Sequence, residues 1–401
     1  MWLFCRISRR SALTAASSHS PILGGRHPGI DRLRGLAIVL VVLHHIGLRM
    51  PLRDTVLGEW LPRRLLNAMN YNGYEAVFVF FVISGFLIAG NALDRWGDLS
   101  RIDLGTFYRR RAARILPCLL ALVGVLALLH ALAVPDYVID RPGQSLGGAV
   151  AAALGLYLNW YEGHTGYLPG NWDVLWSLSI EEVFYLGFPL VCLLTRRRVL
   201  LVPLLVVLAL SLPWALASIT GNEVWKEKAY LPGMAAIATG MLGALWVRAW
   251  PPSARDARVL RGFGAAAMLA MMLFTAPWLW RALHDGVMLM LTLATLCLLV
   301  GMAAPSSAPR HVRGFGWLES WGRLSYEIYL THMFVVFGAV RLWRAHGGDP
   351  QAALWGYLPT LAASWALGWL LARGFSQPCE RWLRGVRPGV HMPAALSQTP
   401  P

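Results

Sequence analysis

Lysine is almost missing from this chain. Of 36 basic residues only Lys226 and Lys228 are lysine, and charged residues of both signs make up 14% of 401. Set against 56% hydrophobic residues, so little charge excludes an ordinary soluble globule. Cysteine is sparse too. Cys118, Cys192 and Cys297 fall in apolar runs and Cys5 and Cys379 in the tails, with no CxxC. That excludes a disulfide framework and a cysteine zinc site. A Walker loop, H-E-x-x-H and H-x-x-x-x-D are absent as well. Residues 1–30 carry no A-x-A cleavage signal after an apolar core, so they read as a cytoplasmic tail and not a secretory signal.

What the chain has in quantity is long apolar runs. Ten are long enough to span a bilayer, at about 35–50, 74–94, 115–134, 174–195, 199–219, 230–249, 262–280, 286–304, 325–345 and 353–373. The expected fold is therefore all-α: a polytopic membrane helix bundle over residues 31–375, with a C-terminal tail from 376 to 401. The formal charge of +15 does not point to nucleic acid, because the arginines cluster between apolar runs. Arginines crowd before the first run, between the second and third, and after the fourth, sixth, eighth and tenth. The positive-inside rule then places both termini in the cytoplasm. It also decides a shorter run at 147–160. If that run crossed, every later arginine cluster would fall outside, so it is expected to be a re-entrant or interfacial segment on the outer face.

The first long run, Asp31 to Met50, holds Arg34 near one end and the pair His44-His45 near the other. At about 100° and about 1.5 Å per residue, His45 lies on nearly the same helix face as Arg34 and roughly 16 Å deeper. An ionisable residue at that depth in lipid is costly. It is either a core histidine bonded to a neighbour or a general base in a channel entered past a cation. In the fourth run Ser177, Glu181 and Tyr185 repeat at i, i+4 and i+8, with Glu182 beside them. Two adjacent carboxyls inside an apolar helix call for protonation or for an Arg or His partner. In the ninth run Ser325, Tyr329 and His332 share a face. Three such stripes at similar depth predict one shared polar cavity. Arg109, Arg110, Arg111 and Arg114 would form a basic cluster at its inner mouth, either as topology-setting charge or to bind phosphate. Gly143–Gly147 matches G-x-S-x-G, but it lies in a short loop between helices and reads as a turn.

These stretches together resemble the acyltransferase-3 family of bacterial integral-membrane acyltransferases. Arg34 and His45 fit its R-x10-H, Phe80–Ile88 its FFVISGFLI stretch, and Arg111 and Arg114 its R-x-x-R. Trp176–Tyr185 fit W-S-L-x-x-E-E-x-F-Y, with Val183 where glutamine is common, and Ser325–His332 fit S-Y-x-x-Y-L-x-H. The resemblance implies transfer of an acyl group, acetyl above all, from cytoplasmic acyl-CoA to a sugar hydroxyl, with no metal. It implies that Arg34, Arg111 and Arg114 hold the CoA phosphates. His45 would be general base or transient acyl carrier, tuned by Glu182 or Glu181. His44, Ser177, Tyr185, Ser325, Tyr326, Tyr329 and His332 would line the cavity. The acceptor would be a cell-surface or lipid-linked glycan at the bacterial inner membrane, with membrane lipids around the chain and no nucleic acid. A separate periplasmic transferase could complete transfer, since some members carry an appended esterase-like domain. Two other classes fit the residues: a glycan transporter or flippase with midplane ionisable groups, and a non-catalytic partner in an assembly complex.

Overall fold

A computed structural model describes residues 26–195, 198–273, 286–304 and 313–385. The expectations for residues 1–25, for Arg196, Arg197 and Arg310, and for the C-terminal residues beyond 385 lie outside that range. Every described element is helical. The helices used below are α1 (Pro28–Gly47), α2 (Arg63–Tyr71), α3 (Gly73–Trp96), α4 (Leu104–Ala131), α5 (Leu146–Leu154), α6 (Leu158–Thr165), α7 (Leu175–Thr195), α8 (Arg198–Leu210), α9 (Leu212–Ala217), α10 (Glu223–Lys228), α11 (Tyr230–Ala249), α12 (Ala254–Leu273), α13 (Gly286–Ala303), α14 (Gly316–Arg323), α15 (Ser325–Ala345), α16 (Pro350–Leu371) and α17 (Gln377–Leu383).

Among the described residues, five helical stretches are long and apolar enough to cross a membrane: Gly73–Trp96, Leu104–Ala131, Gly170–Thr195, Glu223–Ala249 and Gly286–Ala303. Helices also lie on the other expected runs, although the apolar stretch at 199–219 is divided between α8 and α9. The run at 147–160 is broken too. It becomes α5 and α6, nine and eight residues long. At about 1.5 Å per residue neither approaches the roughly 30 Å of a bilayer core. The break falls at Gly155–Tyr157, where Leu156 takes a φ of 61°. Ser145 of the G-x-S-x-G match is the N-cap of α5 and accepts a hydrogen bond from the Gly148 amide at 3.0 Å. Its hydroxyl is therefore spent on capping, as a turn reading requires.

α3 is the hub, packing on α1, α7, α11 and α13. Lipid tails are as apolar as leucine, so burial gives membrane helices little reason to associate. Close backbone approach at small residues supplies the attraction instead. A Cβ on Gly85 would overlap the Ile237 carbonyl, and one on Gly240 would overlap the Val82 carbonyl, so α3 and α11 meet backbone to backbone. Gly35 and Gly322 do the same for α1 and α14 against Leu318 and Asp31. The second seam holds α1, the helix that carries Arg34 and His45. α15 packs beside α1 and α16, while α17 packs against α4.

Candidate functional site

α1 and α15 lie side by side and run the same way. Near their starts, the Arg34 guanidinium donates from Nε and Nη2 to Ser325 Oγ at 3.2 and 2.8 Å. Further along, the His45 and His332 rings lie 5.1 Å apart. The two stripes therefore meet at both levels, as helical periodicity demands.

Between α1, α3, α4, α7 and α15 lies a cavity of about 280 Å³. Arg34, Ser84, Asn91, Arg111, Arg114, Ser177, Glu181, Glu182, Tyr185, Ser325, Tyr326 and Tyr329 give it its polar lining. Its apolar wall includes Val77, Phe80, Phe81 and Leu178. Arg111 is the centre of the polar wall. It donates to Glu182 Oε1 at 2.6 Å, lies 3.8 Å from Glu181, and stacks 3.8 Å above the Tyr185 ring. Glu181 Oε1 in turn accepts from Ser84 at 2.6 Å and from Tyr185 at 2.8 Å. An arginine fork shared by two carboxylates and an aromatic face satisfies groups that lipid would otherwise leave unpaired. Arg114 is held in a similar way by Glu327 and Glu380, each at 3.4 Å, with the Tyr326 ring 5.2 Å away. Arg34 differs. Among the described residues its hydrogen-bond partner is Ser325 alone, and no carboxylate pairs with it directly, although Glu181 and Glu182 line the same cavity.

The histidines occupy a second level. His332 is 0% exposed. Its Nδ1 lies 3.1 and 2.9 Å from the carbonyl oxygens of Ile328 and Tyr329. Carbonyls only accept, so Nδ1 carries the proton and Nε2 keeps the lone pair. His44 is fixed alike, its Nδ1 donating to the Asn70 carbonyl at 3.0 Å. Asn70 is itself 1% exposed and accepts from the Leu52 amide. His45 is half-buried, and its Nδ1 is enclosed without a partner.

This arrangement bears on two expectations. The stripes do not share one cavity wall, because His44, His45 and His332 are not among its lining residues. Nor does Glu181 or Glu182 touch His45, since both are taken by the Arg111 cluster. The reason is the eleven-residue step from Arg34 to His45, which carries His45 well past the level of the carboxylates. Tyr329 links the two levels. Its hydroxyl bonds Ser177 at 2.7 Å, it lines the cavity, and its ring lies 6.0 Å from that of His332.

Several functional-looking groups escape the sequence. Ser84 reads there only as a small packing residue. Glu327 and Glu380 show no periodic link to Arg114. A buried ionic cluster forms where the fully buried Lys228 bridges Glu162 at 2.8 Å and Asp173. Burial, reinforced by nearby Asp173, pushes the Glu162 carboxyl well above the usual range, against the pull of Lys228. A usable signal existed for this cluster: Lys228 is one of two lysines and opens an apolar run.

Fold and site together define a multi-pass membrane protein with a charged, tyrosine-lined cavity among its helices. Residues 27–373 match the acyltransferase-3 family model, described as an acyltransferase domain, and the chain belongs to that family. It is similar to the O-acetyltransferase OatA of Staphylococcus aureus (strain NCTC 8325 / PS 47), 26% identical over 335 residues, covering 77% of this chain and 50% of the relative. The S. aureus (strain COL) protein SACOL0978 is 25% identical over 329 residues, with the same coverage. The chain thus spans about half the length of the curated relatives it matches. No solved structure matches it.

Proposed function

We propose that this chain transfers an acyl group, acetyl first, from cytoplasmic acyl-CoA to a hydroxyl of a cell-surface or lipid-linked glycan. The observation that carries this reading is the cavity in which Arg34 faces open space without a carboxylate partner, below a histidine pair joined to it by Tyr329. Family membership and the OatA similarity support it.

Residues 31–375 form the membrane domain, crossing about ten times, with residues 1–30 and 376–401 cytoplasmic and α5 and α6 at the outer face. The membrane is the bacterial inner membrane, and a separate periplasmic transferase is a partner where the final acceptor lies beyond it. Arg34 takes a phosphate of CoA, because guanidinium forks match phosphate oxygens. Arg111 and Arg114 add positive potential from behind their carboxylates, and Arg111 still has a buried, unpartnered Nε. Tyr185, Tyr326, Ser177 and Ser325 shape the polar walls. His45, partly open where His332 is closed, takes the proton of the attacking hydroxyl or carries the acyl group in transit. Glu181 and Glu182 hold Arg111 and act on His45 only at a distance.

The test is thiol release from acetyl-CoA by purified full-length chain, with ester substituents on host glycans read in parallel. A His45→Ala chain should lose both at normal expression. Wild-type levels of both in that variant would refute the role. A glycan flippase would leave acetyl-CoA untouched.

A further inference from the structure

We propose that His332 is the proton acceptor behind His45, so that the two rings act as a directed relay. The idea rests on the acyl-transfer reading above and extends it to a second residue.

The argument is one of tautomers. Two of the three clustered imidazoles have a fixed proton position, because backbone carbonyls bind Nδ1 of His44 and of His332. His45 has none at Nδ1. A ring that passes a proton must accept at one nitrogen and release from the other, so His45 is the ring free to do so. His332 offers only Nε2, which is buried and has no partner. Leaving such a nitrogen unbonded inside a protein is costly and asks for a use. The rings face each other at 5.1 Å and 42°. With each nitrogen about 1 Å from its ring centre, an N···N approach on the order of 3 Å, a hydrogen-bond length, is within reach of a small ring rotation. Exposure also orders the pair: His45 is partly open, while His332 is fully enclosed behind it. Once protonated at Nε2, the His332 imidazolium is steadied by the Ile328 and Tyr329 carbonyls on its Nδ1–H. The charged and titratable groups around the pair are His44 on α1, Arg49 just past its end, Tyr329 on α15, and Lys228, the last residue of α10, with its partner Asp173. Asp173, the anion among them, is held by Lys228.

The step balances. The acceptor oxygen forms a bond to the thioester carbon and the C–S bond breaks. The hydroxyl proton goes to His45, whose other N–H proton passes to His332 Nε2. It returns through His45 to the leaving thiolate, giving ester and free thiol. His332 acts through His45 and is in this sense a positioning residue for the proton.

The experiment uses the full chain in nanodiscs with acetyl-CoA, read as thiol release across pH. His332→Gln keeps size and a donor near Nδ1 but has no basic nitrogen. We expect kcat to fall about 100-fold or more, the scale of one acid–base group. The KM for acetyl-CoA should stay within about twofold, and the pH dependence seen in the wild type should flatten. His332→Gly should regain at least about tenfold of its lost rate with added imidazole. A folded H332Q chain with wild-type kcat and pH profile overturns the relay. So does a slow H332G chain that imidazole cannot rescue. A wild-type chain that never cleaves acetyl-CoA overturns the acyl-transfer reading itself, which separates the two failures.

Discussion

Arginines that look alike in the sequence divide at the level of single residues. Arg111 and Arg114 are each clasped by two carboxylates, whereas Arg34 has only a hydroxyl. Their substitution should therefore fail in different ways. Arg34→Ala removes a cation that no carboxylate pairs with directly, so each nearby carboxylate keeps its own partner. It should fold normally and raise the KM for acetyl-CoA at least about tenfold, the worth of one charge-assisted hydrogen bond. Arg111→Ala strands Glu181 and Glu182, a situation that costs about 3–5 kcal/mol when a buried pair is broken. A fall in thermal midpoint for R111A, absent in R34A, checks the distinction. Equal unfolding of both variants would remove it. Lys228 follows the same logic. Lys228→Met leaves Glu162 buried and unpaired, so it should lower the midpoint. Pairing it with Glu162→Gln should recover part of the loss, a coupling a double-mutant cycle reads directly.

For whole elements, the load falls on the seams that let helices touch. Gly85 and Gly240 face each other's backbone partners across α3 and α11. Gly240→Ala pushes a methyl into the Val82 carbonyl, and overpacking of this kind costs about 1–3 kcal/mol or more. Because α3 also carries Ser84, the shift should reduce acetyl-CoA cleavage along with stability. Gly262→Ala, a helix glycine whose added Cβ meets nothing, is the control and should change neither. The elements were largely legible beforehand. Long apolar runs announce helices because each backbone group must be bonded within its own segment. Breaks inside an apolar run were not legible, as at Ser211 between α8 and α9 and at Gly155–Tyr157 between α5 and α6. Hydropathy does not register a turn made of apolar residues. Periodicity likewise brought out Arg34, His45, Ser177, Glu181, Tyr185, Ser325, Tyr329 and His332. It could not tell which partner each meets. The Arg111–Glu182 pair closes a gap of 71 residues, and Arg34–Ser325 one of 291. Pairings of that range are set by helix packing, not by any local pattern.

For the molecule as a whole, the proposed transfer is directional: on that proposal, donor would enter past Arg34 on the cytoplasmic side and acyl would leave past the histidine pair on the other. Cysteines placed at exposed positions test the orientation. Arg109→Cys should be labelled by an impermeant thiol reagent only after the cytoplasmic face is opened, and His164→Cys from the intact outer side. The direct measurement is transfer in sealed vesicles of defined orientation, with radiolabelled acetyl-CoA supplied to one face at a time. Label should reach glycan ester only when acetyl-CoA meets the cytoplasmic face, and should vanish in Arg34→Ala at low donor concentration and in His45→Ala at every concentration. Equal labelling from either face, or undiminished labelling in His45→Ala, would contradict the account.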